Sequence, residues 1–200
     1  MSPIDRTLEK MVFTCFHVDM DAIKEALIGI LANKEKSYQL ITDFLSLDRV
    51  DFGSPNRGGR LKKCAAIYSP TTSPSDCVFI ANSSDGWFTL VNALCSELAA
   101  HCISVSTTDD DVEHPINMVR VYEQGRESRC VRAMLDGDRW EFFEKGNVQS
   151  FESVANYQKR RIRDRLRRAD VVEYLRLAGI DILSAGFWET KTPALYISEQ

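Results

Sequence analysis

Four carboxylates crowd one stretch, MLDGDRWEFFEKG at residues 134–146, where Asp136, Asp138, Glu141 and Glu144 stand beside Trp140, Phe142 and Phe143. A carboxylate pressed against aromatic rings loses solvation, which suits it to proton transfer, and paired carboxylates also attract divalent cations. The same letters read equally as a hairpin. Asp136-Gly137 between two β-rich runs predicts a type I′ turn. The two-residue loop then sets Leu135 opposite Asp138, Ala133 opposite Trp140, Val131 opposite Phe142, Arg129 opposite Glu144 and Arg132 opposite Glu141. Val131, Ala133, Leu135, Trp140 and Phe142 share one face in that register, and both glutamates gain an arginine, a pairing that contributes about 0.2 to 1 kcal/mol each. The acidic cluster is accounted for without catalysis.

Other constellations meet similar competition. HVDMD sets His17, Asp19 and Asp21 at alternate positions, so an extended strand would aim all three at one metal ion. A helical pattern starts at once, however, and aspartates at a helix start cap it and stabilise its dipole. TDDDVEH offers Asp109, Asp110, Asp111, Glu113 and His114 but lacks the Asp/Asn-Gly ladder of a calcium loop, so it reads as a solvated acidic loop able to meet a basic protein surface. NSSDGW lies between a strand and a helix, where phosphate cradles and nucleophile elbows occur, yet it fits neither pattern, and Asp85 would repel an anion. His101 reads as a residue at a helix C-terminus interacting with the dipole. Six cysteines form no CxxC and sit mostly in apolar runs, as reduced and buried thiols do.

The most distinctive polar segment is YQKRRIRDRLRR, with Lys159, Arg160, Arg161, Arg163, Arg165, Arg167 and Arg168 interrupted by a single acid, Asp164. On a helix these cations spread round much of the surface, leaving Tyr157, Ile162, Leu166 and Ala169 as a partial apolar stripe. Guanidinium groups suit bidentate contact with carboxylates or phosphates. The segment is therefore a candidate binding surface for an acidic protein, and it would serve equally to neutralise the chain's own acidic loops.

The elements that must position these groups follow from periodicity. Val12–Phe16 reads as a strand; Ile23, Ala26, Leu27, Ile30 and Leu31 mark a helix, and Tyr38, Ile41, Phe44 and Leu45 continue the helical period over residues 37–47. Pro55 and three glycines make residues 51–60 an exposed loop. CAAIY and CVFIAN read as buried strands. A helix capped by Ser84 or Asp85 follows, with Phe88, Val91, Cys95, Leu98 and Cys102 on its stripe. Then come the strand CISVS and three more, Asn117–Glu123, Glu127–Leu135 and Asp138–Glu144. At Gly125, loops of two and three residues both fit. Helices are expected from Phe151 to Arg167 and from Asp170 to Ala178, the second with Asp170 as N-cap, Glu173 three residues on and Gly179 as its stop. Ala194–Ile197 would add an edge strand. This order predicts an α+β fold, a single domain over residues 1–200 with an antiparallel meander of hairpins, packed helices and a C-terminal helical pair at about 151–178.

Composition narrows the function classes. With 200 residues, 44% hydrophobic and 27% charged, the chain has the make-up of a folded protein. Residues 1–150 carry 16 Lys/Arg against 22 Asp/Glu, whereas residues 151–200 carry nine against seven. A net charge of −4 ranks nucleic acid below protein as the partner of the basic stretch. No apolar run reaches membrane-spanning length and the start lacks a signal-peptide pattern, so the expected compartment is the cytoplasm. No cofactor and no metal site is expected. The expectation is a non-enzymatic protein-binding module, a stoichiometric inhibitor such as an immunity protein that neutralises a toxin or effector, with Arg160, Arg161, Arg163, Arg167, Arg168, Asp109, Asp110 and Asp111 as binding residues. The alternatives are a small enzyme whose carboxylate or cysteine site is assembled by the fold, and a nucleic-acid-associated protein acting through the arginines. Partner identity and oligomeric state stay open.

Overall fold

Strands of two kinds alternate through the chain, and they announce how many layers cover them. CAAIY and CVFIA are apolar throughout and buried along almost their whole length, as strands covered on both faces must be. INMVRVYE alternates between buried and partly exposed positions, the signature of a strand covered on one face. The computed structural model describes residues 10–32, 38–46, 50, 62–109 and 111–200.

The strands are β1 (Lys10–Phe16), β2 (Tyr38–Asp43), β3 (Cys64–Tyr68), β4 (Cys77–Ala81), β5 (Cys102–Thr108), β6 (Ile116–Glu123), β7 (Arg126–Asp136), β8 (Arg139–Gly146) and β9 (Ala194–Glu199). They form one open sheet in the order β2-β9-β3-β4-β1-β5-β6-β7-β8, with every neighbouring pair antiparallel. Helices α1 (Met20–Leu31) and α2 (Phe88–Leu98) pack Ile23, Leu27, Leu90, Val91 and Leu94 against Ala65, Ile67, Phe79 and Ile197 on one face. On the other face the C-terminal segment, with the one-turn helix α3 (Val154–Tyr157) and α4 (Arg168–Leu177), buries Tyr157, Leu166, Val171, Tyr174 and Trp188 against Phe13, Ile80, Val105, Val119 and Val131. The fold is α+β, as the order of elements predicts.

Several local expectations change. Residues 38–43 are a strand, not a helix: Phe44, placed on the expected helical stripe, is 82% exposed, and the backbone of β2 pairs with β9 instead. β9 lies between β2 and β3 and is not an edge strand, because Ala194, Leu195, Tyr196 and Ile197 are apolar on both faces and need cover on both. The helix expected from Phe151 to Arg167 shrinks to α3 and a 3-10 turn at Ile162–Asp164. Like charges four apart, Lys159 with Arg163, Arg161 with Arg165 and Arg163 with Arg167, oppose a continuous helix there. The irregular path still buries Tyr157 and Leu166.

At α4, Asp170 is not the N-cap; it sits three residues inside and accepts from Arg167 N at 2.8 Å. Gly179, at φ +86°, ends that helix as expected, with Gly179 N donating to Arg176 O and Ile180 N to Leu175 O. Neither Ser84 nor Asp85 caps α2; Trp87 does so in the left-handed region, and Asp85 holds its N–H at 3.0 Å. α2 stops at Leu98, so Cys102 opens β5 and does not extend the helical stripe.

Candidate functional site

The acidic hairpin that opens the question is β7–β8. Its turn is Gly137-Asp138, closed by Asp136 opposite Arg139, one step along the chain from the expected Asp136-Gly137 turn. Gly137 alone has a positive φ, +57°, which matches a II′ turn with glycine first. The register therefore shifts by two: Leu135 faces Trp140, Ala133 faces Phe142 and Arg132 faces Phe143. Because a two-residue shift preserves the pleat, Val131, Ala133, Trp140 and Phe142 still share the core face. Arg132 lies 5.2 Å over the Phe143 ring instead of facing Glu141. The β6–β7 hairpin settles on a two-residue loop, with Gln124 and Gly125 both at positive φ.

Glu144 does meet Arg129, diagonally, at 2.9 Å, and both belong to a larger cluster that sequence spacing does not reveal. Arg129 is 2% exposed and Glu152 1% exposed; Arg129 Nε and Nη2 reach Glu152 at 3.0 and 2.7 Å. Glu152 also accepts from Gln149 N and from Tyr157 Oη at 2.6 Å, while Arg129 Nη1 donates to Gly146 O at 3.0 Å. Burial, with the hydrogen bond to Glu152 behind it, drives the Tyr157 hydroxyl far above its ordinary range. Each charged side chain in this cluster has an opposite partner, one guanidinium serving two carboxylates, so the cluster fastens β7 to the C-terminal segment.

The basic segment YQKRRIRDRLRR wraps the same corner. Its 3-10 turn packs against β8, and Arg165 lies 5.5 Å over the Phe142 ring while its Nε donates to Lys159 O. Arg168 is spent on Asp109, which ties the segment to the end of β5, and Arg167 on Asp164 within the segment. Arg163 stands 3.9 Å from Asp164 and is 58% exposed. Arg160 and Arg161 are exposed and, with Lys159, have no ion pair among the described residues. Of the acidic loop, Asp111 is exposed and Asp110 lies outside the described residues.

A second cluster gathers residues that look unrelated in the sequence. His17 N donates to His101 O, the two rings stack at 5.0 Å, and His17 Nδ1 lies 3.1 Å from Asp76 Oδ1. Ser73 Oγ donates to the other Asp76 oxygen. The junctions β1–α1, β4 entry and α2–β5 meet at this end of the sheet, which is why residues so far apart converge. The hydrogen bond that His17 donates to the Asp76 carboxylate holds the imidazole above its ordinary pKa, although burial pulls the other way. Burial, then the His17 charge, hold His101 below it. His101 lines an open depression with Ala99, Glu123, Gln124, Arg126 and Ser128. His101 lies beyond α2, which stops at Leu98, and Asp19 does cap α1, accepting from Ala22 N at 2.8 Å.

The thiols add nothing reactive. No disulfide joins two cysteines among the described residues, and five of the six are buried; burial pushes the Cys77 thiol up to about 11 and Cys15 higher still. Compared with protein families, curated proteins and solved structures, the chain matches none.

Proposed function

We propose that this chain is a non-enzymatic protein-binding module that docks an acidic partner through Arg160, Arg161 and Arg163, acting as a stoichiometric inhibitor such as an immunity protein against a toxin or effector. One observation carries the reading: a packed segment that holds Arg160 and Arg161 exposed with no ion pair among the described residues, and Arg163 58% exposed, 3.9 Å from an Asp164 that Arg167 already engages. Arg165, Arg167 and Arg168 anchor the turn, so ordering it takes little from the binding energy. Charge complementarity of this kind governs encounter rate and partner choice.

The test mixes the purified chain with the product of the neighbouring gene in its source genome. A one-to-one complex that silences the neighbour's activity, lost in R160E/R161E/R163E with the fold intact, is the expected result. An equally tight complex with the reversed variant overturns the surface; no complex and no silencing overturns the function.

One arrangement favours a second reading, an acid–base site. His17 and His101 are neighbouring imidazoles whose surroundings push their pKa values apart, the pattern that separates an acid from a base. No activated nucleophile adjoins them among the described residues, since Ser73 is committed to Asp76 and the nearby Cys15 and Cys77 thiols are suppressed. Hydrolysis of an ester or phosphodiester that H101A abolishes would put this reading first.

A further inference from the structure

β8 is the terminal strand of the sheet, and which of its backbone groups face outward can be read from β7. Leu135 N donates to Pro115 O on the β6 side, so Met134 and Asp136 turn their N–H groups toward β8. Their partners Glu141 and Arg139, and in the same alternation Phe143 and Lys145, hydrogen-bond inward. Trp140, Phe142 and Glu144 are left with outward N–H and C=O groups that meet no backbone partner among the described residues. Edge strands are normally blunted by proline, a bulge, extreme shortness, charged side chains or a covering element, and of these β8 has charges, at Arg139, Glu141, Glu144 and Lys145. β8 runs for eight residues, carries no proline and pairs with β7 without a register shift.

The surroundings of this edge specify its occupant. The core-face side chains Trp140 and Phe142 lie beside the basic turn, through Arg165 over Phe142, and the opposite face presents Phe143 at 42% exposure. A strand laid along β8 would put one set of its side chains on the face that carries the basic turn, whose Ile162–Asp164 stretch packs against β8, and the other beside Phe143. Resting on the binding reading above, we propose that the partner contributes an extended segment, alternating acidic and apolar, that adds to the outer edge of β8 as a tenth strand. A second copy of the chain fits worse. In-register pairing of β8 with itself about Phe142 sets Arg139 against Lys145 and brings two basic turns together.

The probe is a ten-residue peptide alternating Glu and Val, capped at both ends, with a Lys–Val peptide as control. The full chain is expected to bind the Glu–Val peptide at least tenfold more tightly than the control, and to lose that preference in R160E/R161E/R163E. Exchange of the Trp140, Phe142 and Glu144 amides is expected to slow at least tenfold on binding. N-methylating one alternate set of peptide amides is expected to cost tenfold or more, and the other set less than twofold. Binding that depends on the arginines but is indifferent to both methylated sets and leaves β8 exchange unchanged overturns strand addition while leaving the binding function standing. No preference for the acidic peptide overturns the occupant proposed here. Slow β8 exchange in the chain alone, rising with its concentration alongside a dimer, assigns the edge to a second copy and overturns it as well.

Discussion

Glu152 takes the guanidinium of Arg129 side-on, Nε at 3.0 Å and Nη2 at 2.7 Å, across 23 residues of chain and almost out of reach of solvent. Removing one partner of such a pair strands a charge in the interior. E152A is expected to destabilise the protein by about 3 to 5 kcal/mol, and Y157F, which deletes one hydrogen bond to the same carboxylate, by about 1.5 to 3. Chemical denaturation of both variants against the parent is the check. An E152A loss below that of Y157F would show that Glu152 is not the hub.

The two hairpin glycines of β8 differ in what surrounds them. A Cβ on Gly146, at φ +84°, would sit 1.8 Å from Ser128 O, whereas one on Gly137, at φ +57°, meets nothing within 4 Å. G146A is therefore expected to cost about 2 kcal/mol or more, since backbone must move and Arg129 loses its seat on the Gly146 carbonyl. G137A should cost about 1 to 2, the left-handed penalty alone. Thermal melts of the two variants give the ranking.

Protonation separates the stacked histidines. His17 is held above the ordinary 6.5 and Asp76 below the ordinary 3.8, so each stabilises the fold with the other charged. The His17 contribution is complete below pH 6.5 and disappears as pH rises through its folded value; that of Asp76 is complete above 3.8 and disappears as pH falls through its folded value. His101 works oppositely, favouring unfolding as acidification proceeds from 6.5 toward its lowered value. Around these rings stand Asp76, Glu123 and Arg126. NMR titration should place His17 above His101; D76N should bring His17 down, and H17A should bring His101 up. Coincident titration of the two rings would contradict the geometry.

Thiol chemistry should be slow. Cys15, Cys77, Cys95, Cys102 and Cys130 are buried, and Cys64 alone is partly exposed. Ellman's reagent at pH 8 is expected to modify Cys64 first and the others only at the rate of unfolding. Rapid labelling of Cys77, whose thiol sits near 11, would require a local opening at the start of β4.

The legible parts of this molecule were those with local physical causes. The spacing of Ile23, Ala26 and Leu27 gives α1, Gly179 gives the end of α4, and the doubly apolar β3 and β4 announce the middle of the sheet. The core face of β7–β8 survives even a wrong turn assignment, because a shift of two residues keeps every side chain on its own side. What a linear reading misses is created by the order of strands. His17, Asp76 and His101 meet only because β1 sits between β4 and β5, and Glu152 finds Arg129 only because the chain folds back over β7. The arginine-rich segment misleads for a related reason: its apolar residues follow helical spacing, but its like charges four apart oppose a helix, and Leu166 is buried along an irregular path instead.

The position of β9 carries a consequence for synthesis. β2 and β3 are near neighbours in the chain, yet each hydrogen-bonds to the strand wedged between them and not to the other. On a ribosome adding about 5 to 20 residues per second, β3 emerges on the order of ten seconds ahead of its neighbour, with an apolar flank open to any passing strand. Release of a chain shortened before residue 194 would leave that flank bare permanently, so premature termination should yield aggregates in place of a smaller folded protein.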